Sequence, residues 1–564
     1  MASLPVRTRV GALTAAAVAL AAVAALPIVA VVARGIAPGA GGTWAHLAST
    51  VLPDYAANTL FLVVAVGLGA GIGGTATGWL VAQRRFPGSR AFEWALLLPL
   101  AMPAYVMAYA YTDFLQYSGP VQSALREAFG WSRGDYWFPD VRTVGGAAVM
   151  FVFTLYPYVY LLARTAFVER SPALVEAART LGLDRRQAFW RVELPLARPA
   201  IAGGVALALM ETLADYGTVA YFAVDTFTTG IYRAWFSLGD HTAAAQLAGA
   251  LLGFVLLALA LERFSRRASR VTSSPRGRTT MPGAKPKLTG ARAAVATFAC
   301  AIAVAVGFVV PLALLLRLIA ADPETVDFGR FAAWAWNSVR VATMAAVLCV
   351  ALAILVAYAA RLAPGPLTRA ASRLLALGYA VPGTVLAVGV LLPVGALDRA
   401  IADAWRAWTG TSPGLLLTGT VFALLYAYLV RYFAVAWNGI EPGFARITPA
   451  MDAAARSLGA TSGETLLRVH APLLARSGAA AALLVFVDVM KELPATLLMR
   501  PFNFDTLATQ AYQLARDERL AEAALPSLAI VAVGLAPIVF LARASLRVRS
   551  SPRPKAGSDP ASRV

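Results

Sequence analysis

Lysine is almost missing: only Lys285, Lys287, Lys491 and Lys555 occur, and none follows a glycine. A phosphate-cradling P-loop needs a Gly-Lys pair, so the chain cannot hydrolyse a nucleotide in that way. The three histidines, His46, His241 and His470, are scattered, which argues against a histidine-built metal site. The two cysteines, Cys300 and Cys349, both fall in apolar runs, where a thiol is a small buried hydrophobe, and no Cys/His cluster has metal-binding spacing. Charge of either sign is sparse as well, at 14% of residues against 59% hydrophobic, with a mean hydropathy of +0.66. Soluble domains sit nearer a quarter charged, so this composition belongs to the membrane class.

What charge there is has a direction. The net charge of +19 comes from arginines gathered in short stretches beside apolar runs. Cytoplasmic loops look like this under the positive-inside rule, and we expect no nucleic-acid partner. Apolar spans long enough to cross a bilayer can be marked at about 11–33, 58–82, 92–113, 144–167, 199–222 and 243–262. A second set lies at about 292–320, 337–360, 371–393, 413–436, 476–499 and 524–543. The expected fold is therefore all-α and integral to the membrane, with about twelve helices, because helices satisfy their own backbone groups in lipid. Arg7 and Arg9 precede the first span, which is longer than a cleaved signal's apolar core and reads as an uncleaved helix. Arg84, Arg85 and Arg90, the stretch Arg164 to Arg198, and the basic segment after the sixth span all assign one side as cytoplasmic. Both termini then lie on that side.

The two sets are copies. Arg-Val-Glu-Leu-Pro-Leu at 191–196 answers Arg-Val-His-Ala-Pro-Leu at 468–473, and Ala177-Ala178-Arg179-Thr180-Leu181-Gly182 answers Ala454-Ala455-Arg456-Ser457-Leu458-Gly459, both 277 residues on. Asp225-Thr226 through Tyr232 answers Asp505-Thr506 through Tyr512, while Asn58 and Asn337 open matching helices and Pro103 and Pro382 interrupt matching ones. Repeats that begin and end on one side are parallel, related by an axis along the membrane normal. The organisation expected is a first module at 1–263 with an inner loop at 168–198, and a linker at 264–290. A second module at 291–545 has its inner loop at 437–475, and a basic tail fills 546–564. Gly67, Gly69, Gly71, Gly73 and Gly74 look like a dinucleotide fingerprint but lie mid-span, so close helix packing is the expectation.

The inner loops carry the most informative words. Glu176-Ala-Ala-Arg-Thr-Leu-Gly182 followed by Val192-Glu-Leu-Pro195 reads as a short helix, a glycine turn, and a second helix ending at Pro195. Glu176 and Arg179 stand one turn apart and can pair. One such segment would be an ordinary amphipathic loop; two with the same Gly-to-Pro spacing are a signature. The chain here resembles the EAA-motif permeases, the binding-protein-dependent ABC importers of the type I fold, and the resemblance spans both halves. It implies that Glu176, Ala177, Ala178, Gly182 and Pro195, with Ala454, Ala455, Gly459 and Pro472, form two coupling loops docking on ATPase subunits. The second copy departs from the pattern: Ala453 replaces the glutamate, Asp452 stands one residue early, and Ala471 replaces a leucine. The implied partners are two copies of an ABC ATPase, which carry the ATP and Mg, an external solute-binding protein, and membrane lipid. The implied location is the bacterial inner membrane.

Two carboxylate pairs lie in apolar spans, Glu211 with Asp215 and Asp488 with Glu492. Each pair is spaced i, i+4, which on a helix gives one shared face, and intramembrane charges usually face a bundle interior or aqueous path. The bland alternative is an ion-pair network with Lys491 and Arg233 or Arg500. Hard cations favour oxygen ligands of this kind. Met210-Glu-Thr-Leu-Ala-Asp-Tyr-Gly-Thr-Val219, Met490-Lys-Glu-Leu-Pro-Ala-Thr496 and Arg500-Pro-Phe-Asn-Phe-Asp505 resemble the ferric-iron branch of the family, implying Fe(III) as transported substrate; fused permeases for thiamine are the alternative. An ion-gradient transporter would not explain two matched loops. No nucleophile or metal constellation suggests an enzyme, and no cofactor is expected on the chain itself.

Overall fold

A computed structural model describes residues 6–37, 43–169, 177–178, 180–267, 285–325 and 327–550. Glu176, Arg179, most of the linker and the last part of the basic tail lie outside these residues. The described chain is helical, and eleven helices are long and apolar enough to cross a membrane. A twelfth span is available only if two helices joined by an 89° bend, Ser89–Ala101 and Ala104–Phe129, count as one. The fold is the expected one: two parallel six-helix repeats.

Several expected spans are interrupted, and the sequence supplies the cause. The third breaks at Met102, where Pro103 caps the next helix from an extended conformation. Its counterpart does not run from 371: a short helix, Pro366–Leu375, and a single tight turn precede the long helix Gly383–Thr409, which Pro382 caps. That helix therefore runs well past the expected end of the span at about 393. Asn58 and Asn337 do not open their helices; they sit inside Leu52–Gln83 and Phe328–Leu362. Each instead donates to a carbonyl of the matching outer segment, Asn58 to Asp225 at 2.8 Å and Asn337 to Asp505 at 3.1 Å. The repeat thus extends to single hydrogen bonds.

The glycine run packs helices, as expected. A Cβ on Gly74 would stand 2.6 Å from Val159 Cβ and 2.7 Å from the Tyr156 carbonyl oxygen, and one on Gly78 3.1 Å from the Arg164 backbone nitrogen. Helices Leu52–Gln83 and Val144–Glu169 therefore approach backbone to backbone. Cys300 and Cys349 are buried and free. The end of the linker is tied down near the first inner turn: Arg85 donates to the Pro286 carbonyl at 3.0 Å, and the Lys285 ammonium to that of Val81 at 2.9 Å.

Candidate functional site

The inner loops close in the same way twice. Gly182 and Gly459 both adopt left-handed backbone, at φ +87° and +81°, a conformation a side chain resists. That lets Leu183 donate to the Ala178 carbonyl, and Ala460 to that of Ala455, each at 3.1 or 3.0 Å, the helix-ending closure that glycine permits. Ala178 and Ala455 face inward, at 6% and 8% exposure, while Ala177 and Ala454 face out. The leucines just before the glycines are left bare: Leu181 is 83% exposed and Leu458 87%. Both leucines belong to the repeated motif, although nothing in their hydropathy alone sets them apart. A leucine placed before a helix-ending glycine was the available signal.

Pro195 does not end a helix. Residues Arg186–Ala214 run on as one span, with a wide π-helical turn at Phe189–Glu193 and Pro195 at the start of the segment after it. Leu466–His470 repeats that turn before Pro472. A proline ring clashes with the carbonyl four residues back, and the wider turn moves that carbonyl away. The far portion of each inner loop is therefore the beginning of a span.

The loops are anchored by different chemistry. Glu193 is buried and accepts from Trp79 Nε1 at 2.8 Å. At the matching position His470 is fully buried, its Nε2 2.7 Å from Asp452, and its ring meets Tyr358 and Phe444 edge-on. Arg361 donates through Nε to Asp452 at 2.8 Å, and through its other nitrogens to the Phe444 and Ile447 carbonyls at 3.2 and 2.8 Å. Burial pushes the Asp452 carboxyl up, but hydrogen bonds from Arg361 and His470 outweigh it and hold the group below the usual aspartate range. The displaced acid of the second copy thus points inward and pins its helix.

The four intramembrane carboxylates line one cavity of about 120 Å³, together with Arg431 and Lys491. They do not share helical faces in the expected way, because each helix stops between the two members of its pair. The first ends at Ala214, leaving Asp215 extended as its cap; the second ends at Met490, ahead of Glu492. Pro494 fits the second break: its ring would clash with the carbonyl of Met490, four residues back, if the helix ran on, and it opens the next short helix, where a missing N–H costs nothing. At the first, Gly217 presses on the partner break: a Cβ there would lie 2.7 Å from Leu493 Cδ2 and 2.8 Å from Tyr105 Cβ.

The members of each pair consequently differ. Asp215 accepts from the Thr218 backbone and hydroxyl at 2.8 and 3.1 Å, and Glu492 from the backbones of Ala495 and Thr496 at 2.9 and 3.0 Å. Both carboxylates thus sit at the starts of the short helices beyond the breaks, Gly217–Tyr221 and Pro494–Met499. Glu211 instead accepts from the Tyr379 hydroxyl at 2.7 Å, and Asp488 pairs with Lys491 at 3.0 Å. Arg233 and Arg500, expected as possible partners of the pairs, bind Asp225 and Asp505 instead. Among the described residues, no three histidine, cysteine or acidic side chains converge as a ready-made metal site.

Arg431 was not marked from sequence, although an arginine inside an apolar span is a strong signal. It is 7% exposed and lines the cavity. Both cavity cations come from the second repeat, since the residues matching Arg431 and Lys491 at an offset of 277 are Thr154 and Ala214. A second, larger hollow of about 1350 Å³ lies among Asp225, Arg233, Arg399, Arg500, Asp505 and Arg516. Tyr216, Tyr232 and Tyr512 also line it, with Tyr216 stacked on Tyr232 at 3.7 Å. Asp215 and Gly217, the chain neighbours of Tyr216, line the acidic cavity, and the Tyr232 hydroxyl donates to the carbonyl of Pro494, which lines it too, so these two tyrosines stand between the two spaces.

Two parallel helical repeats, each broken beside a shared cavity of charged side chains and each carrying a matching glycine-closed loop, define a membrane transport permease. Residues 74–270 match the family described as the binding-protein-dependent transport system inner membrane component. An Fe(3+)-transport system permease protein of Haemophilus influenzae is 24% identical over 518 residues, 92% of this chain and 95% of that protein. A ferric transport system permease protein of Actinobacillus pleuropneumoniae is 25% identical over 75% of the chain and 61% of its own length. The sulfate transport system permease protein CysT of Escherichia coli is 28% identical over 204 residues, 34% of the chain and 71% of that protein. Residues 74–270 thus carry the inner-membrane component of a binding-protein-dependent transport system, and nearly the whole chain is similar to a ferric-iron permease.

Proposed function

We propose that this permease imports ferric iron, handed over by an external binding protein and driven by two copies of a separate ABC ATPase. One observation carries the reading: each repeat sends a pair of carboxylates to one cavity where the two broken spans meet. Oxygen donors in a cavity walled by helices suit a hard, highly charged cation. The likeness of nearly the whole chain to an Fe(3+) permease supports iron over thiamine. In this reading 1–263 and 291–545 are the two permease modules, 264–290 links them on the cytoplasmic side, and both termini lie in the cytoplasm. Gly182 and Gly459 shape coupling loops that present Leu181 and Leu458 to the ATPases. Ala177, Ala454, Pro195 and Pro472 complete each loop, and ATP with Mg belongs to the partner alone.

The substrate path runs from the tyrosine-lined hollow through Glu211, Asp215, Asp488 and Glu492. Glu211 and Asp488 do the contacting, because Asp215 and Glu492 are already committed to helix starts. Uptake of radiolabelled iron tests this in cells carrying the full transporter. Changing Glu211 and Asp488 to Gln and Asn should abolish uptake while the assembly with its ATPase persists. Uptake at the unaltered rate would remove these residues from the path.

A further inference from the structure

Arg431 is buried within the acidic cavity, yet its Nε and Nη1 have no hydrogen-bond partner among the described residues. The guanidinium lies 5.7 Å from the Tyr432 ring, a weak contact that leaves its N–H groups open. The backbone makes room for it: a Cβ on Gly383 would stand 2.6 Å from Nη1 and 2.9 Å from Glu492 Oε1. A buried guanidinium with idle donors is costly, and an oxyanion is the partner its geometry suits.

The charges of the cavity point the same way. Four carboxylates against Arg431 and Lys491 leave two negative charges, and a ferric ion would turn that into one uncompensated positive charge. A buried unpaired charge is strongly disfavoured, so a further negative group is required. Ligand supply agrees. Asp215 and Glu492 cap helices, which leaves two carboxylates, Glu211 and the Lys491-paired Asp488, to reach a metal, and the side chains present no converged metal site among the described residues. A ferric ion here would be short of oxygen ligands unless it brought some with it.

We propose that the cavity takes the ferric ion together with one small oxyanion, of the phosphate, carbonate or carboxylate class, which docks on Arg431 and crosses with the metal. This rests on the ferric reading above. Glu211 and Asp488 approach the metal, Arg431 holds the anion, and cargo enters as an ion pair of reduced charge.

The test uses the complete transporter, permease with ATPase and binding protein, in proteoliposomes. Radiolabelled iron is supplied in separate runs with labelled phosphate, carbonate and citrate. At least one of these anions should accumulate with iron, dependent on ATP. Arg431→Gln should lower uptake of both labels by roughly tenfold or more, with Arg431→Lys restoring part of it. ATP-dependent iron uptake accompanied by none of the three anions would overturn the proposal and leave the ferric reading intact. So would an Arg431→Gln transporter that carries iron at the unaltered rate. If the intact transporter accumulates no iron from any of the three mixtures, the ferric reading itself fails, and the proposal with it. Should Arg431→Gln not assemble with its ATPase, the double-label result on the intact transporter decides alone.

Discussion

Replacing Arg361 by alanine should release the loop at 437–475 while leaving the membrane bundle folded. Arg361 holds Asp452 and two carbonyls at the end of helix Val421–Ala445, so a single guanidinium joins a span, its loop and the short helix Pro449–Ser457. The two side chains are 18% and 20% exposed, between a surface pair and a buried one. Exposed pairs contribute up to about 1 kcal/mol and broken buried pairs cost about 3–5, so we take about 2–3 kcal/mol for this site. That corresponds to a roughly 30- to 150-fold rise in local opening of the loop. Hydrogen exchange of the amides of Leu458, Gly459 and Ala460 reads it directly, because all three are bonded within the closure. In the assembled transporter the same change should lower uptake per ATP hydrolysed. The pH dependence has a defined sign. Asp452 is depressed in the folded protein, so its contribution is complete above the unfolded aspartate value of about 3.9 and is lost as pH falls through the lower, folded value. Protection should be flat from neutrality to about pH 5 and should decline below about pH 4, less steeply without Arg361, when His470 alone still holds the carboxylate. Unchanged exchange at 458–460 in the Arg361→Ala protein would refute the anchoring argument.

Other changes probe the remaining links. Gly74→Val drives a side chain into Val159 and the Tyr156 carbonyl, and overpacking of this kind should cost about 1–3 kcal/mol or more in detergent melts; Gly73→Ala, which meets nothing within 4 Å, should not lower the melting temperature. Gly459→Ala forces a side chain into left-handed backbone at about 1–2 kcal/mol and should raise exchange at Ala460, with Gly182→Ala acting likewise at Leu183. Leu181→Asp and Leu458→Asp alter only exposed positions, so thermal stability should hold while co-purification of the ATPase falls; retained co-purification would exclude these leucines from the docking face.

Much of the architecture could be read from residue order because lipid permits few solutions. Apolar runs of bilayer length must become helices, and arginine placement orients them, so the two repeats were evident before any coordinates. The glycine run could be assigned to packing for the same reason. Local motifs were legible too: a glycine in the same place in two copies fixes two helix ends wherever the loops lie in space.

The site was legible in its membership and not in its roles. The spacing of Glu211 and Asp215 implies a shared face only if the helix continues, and in the fold it stops at Ala214, where Gly217 of the next short helix packs against Leu493. Likewise, Asp452 reads as a glutamate displaced by one residue. Only the fold brings Arg361, 91 residues earlier, and His470, 18 residues later, onto its two oxygens. Arg431 shows the division most clearly. Sequence alone determined that this chain crosses the membrane many times as two parallel copies, since hydropathy and charge order are properties of the linear chain. Tertiary structure decided that both cations of the acidic cavity come from one copy and that one of them keeps open donors. Partners far apart in sequence are chosen by packing, which the linear pattern does not contain.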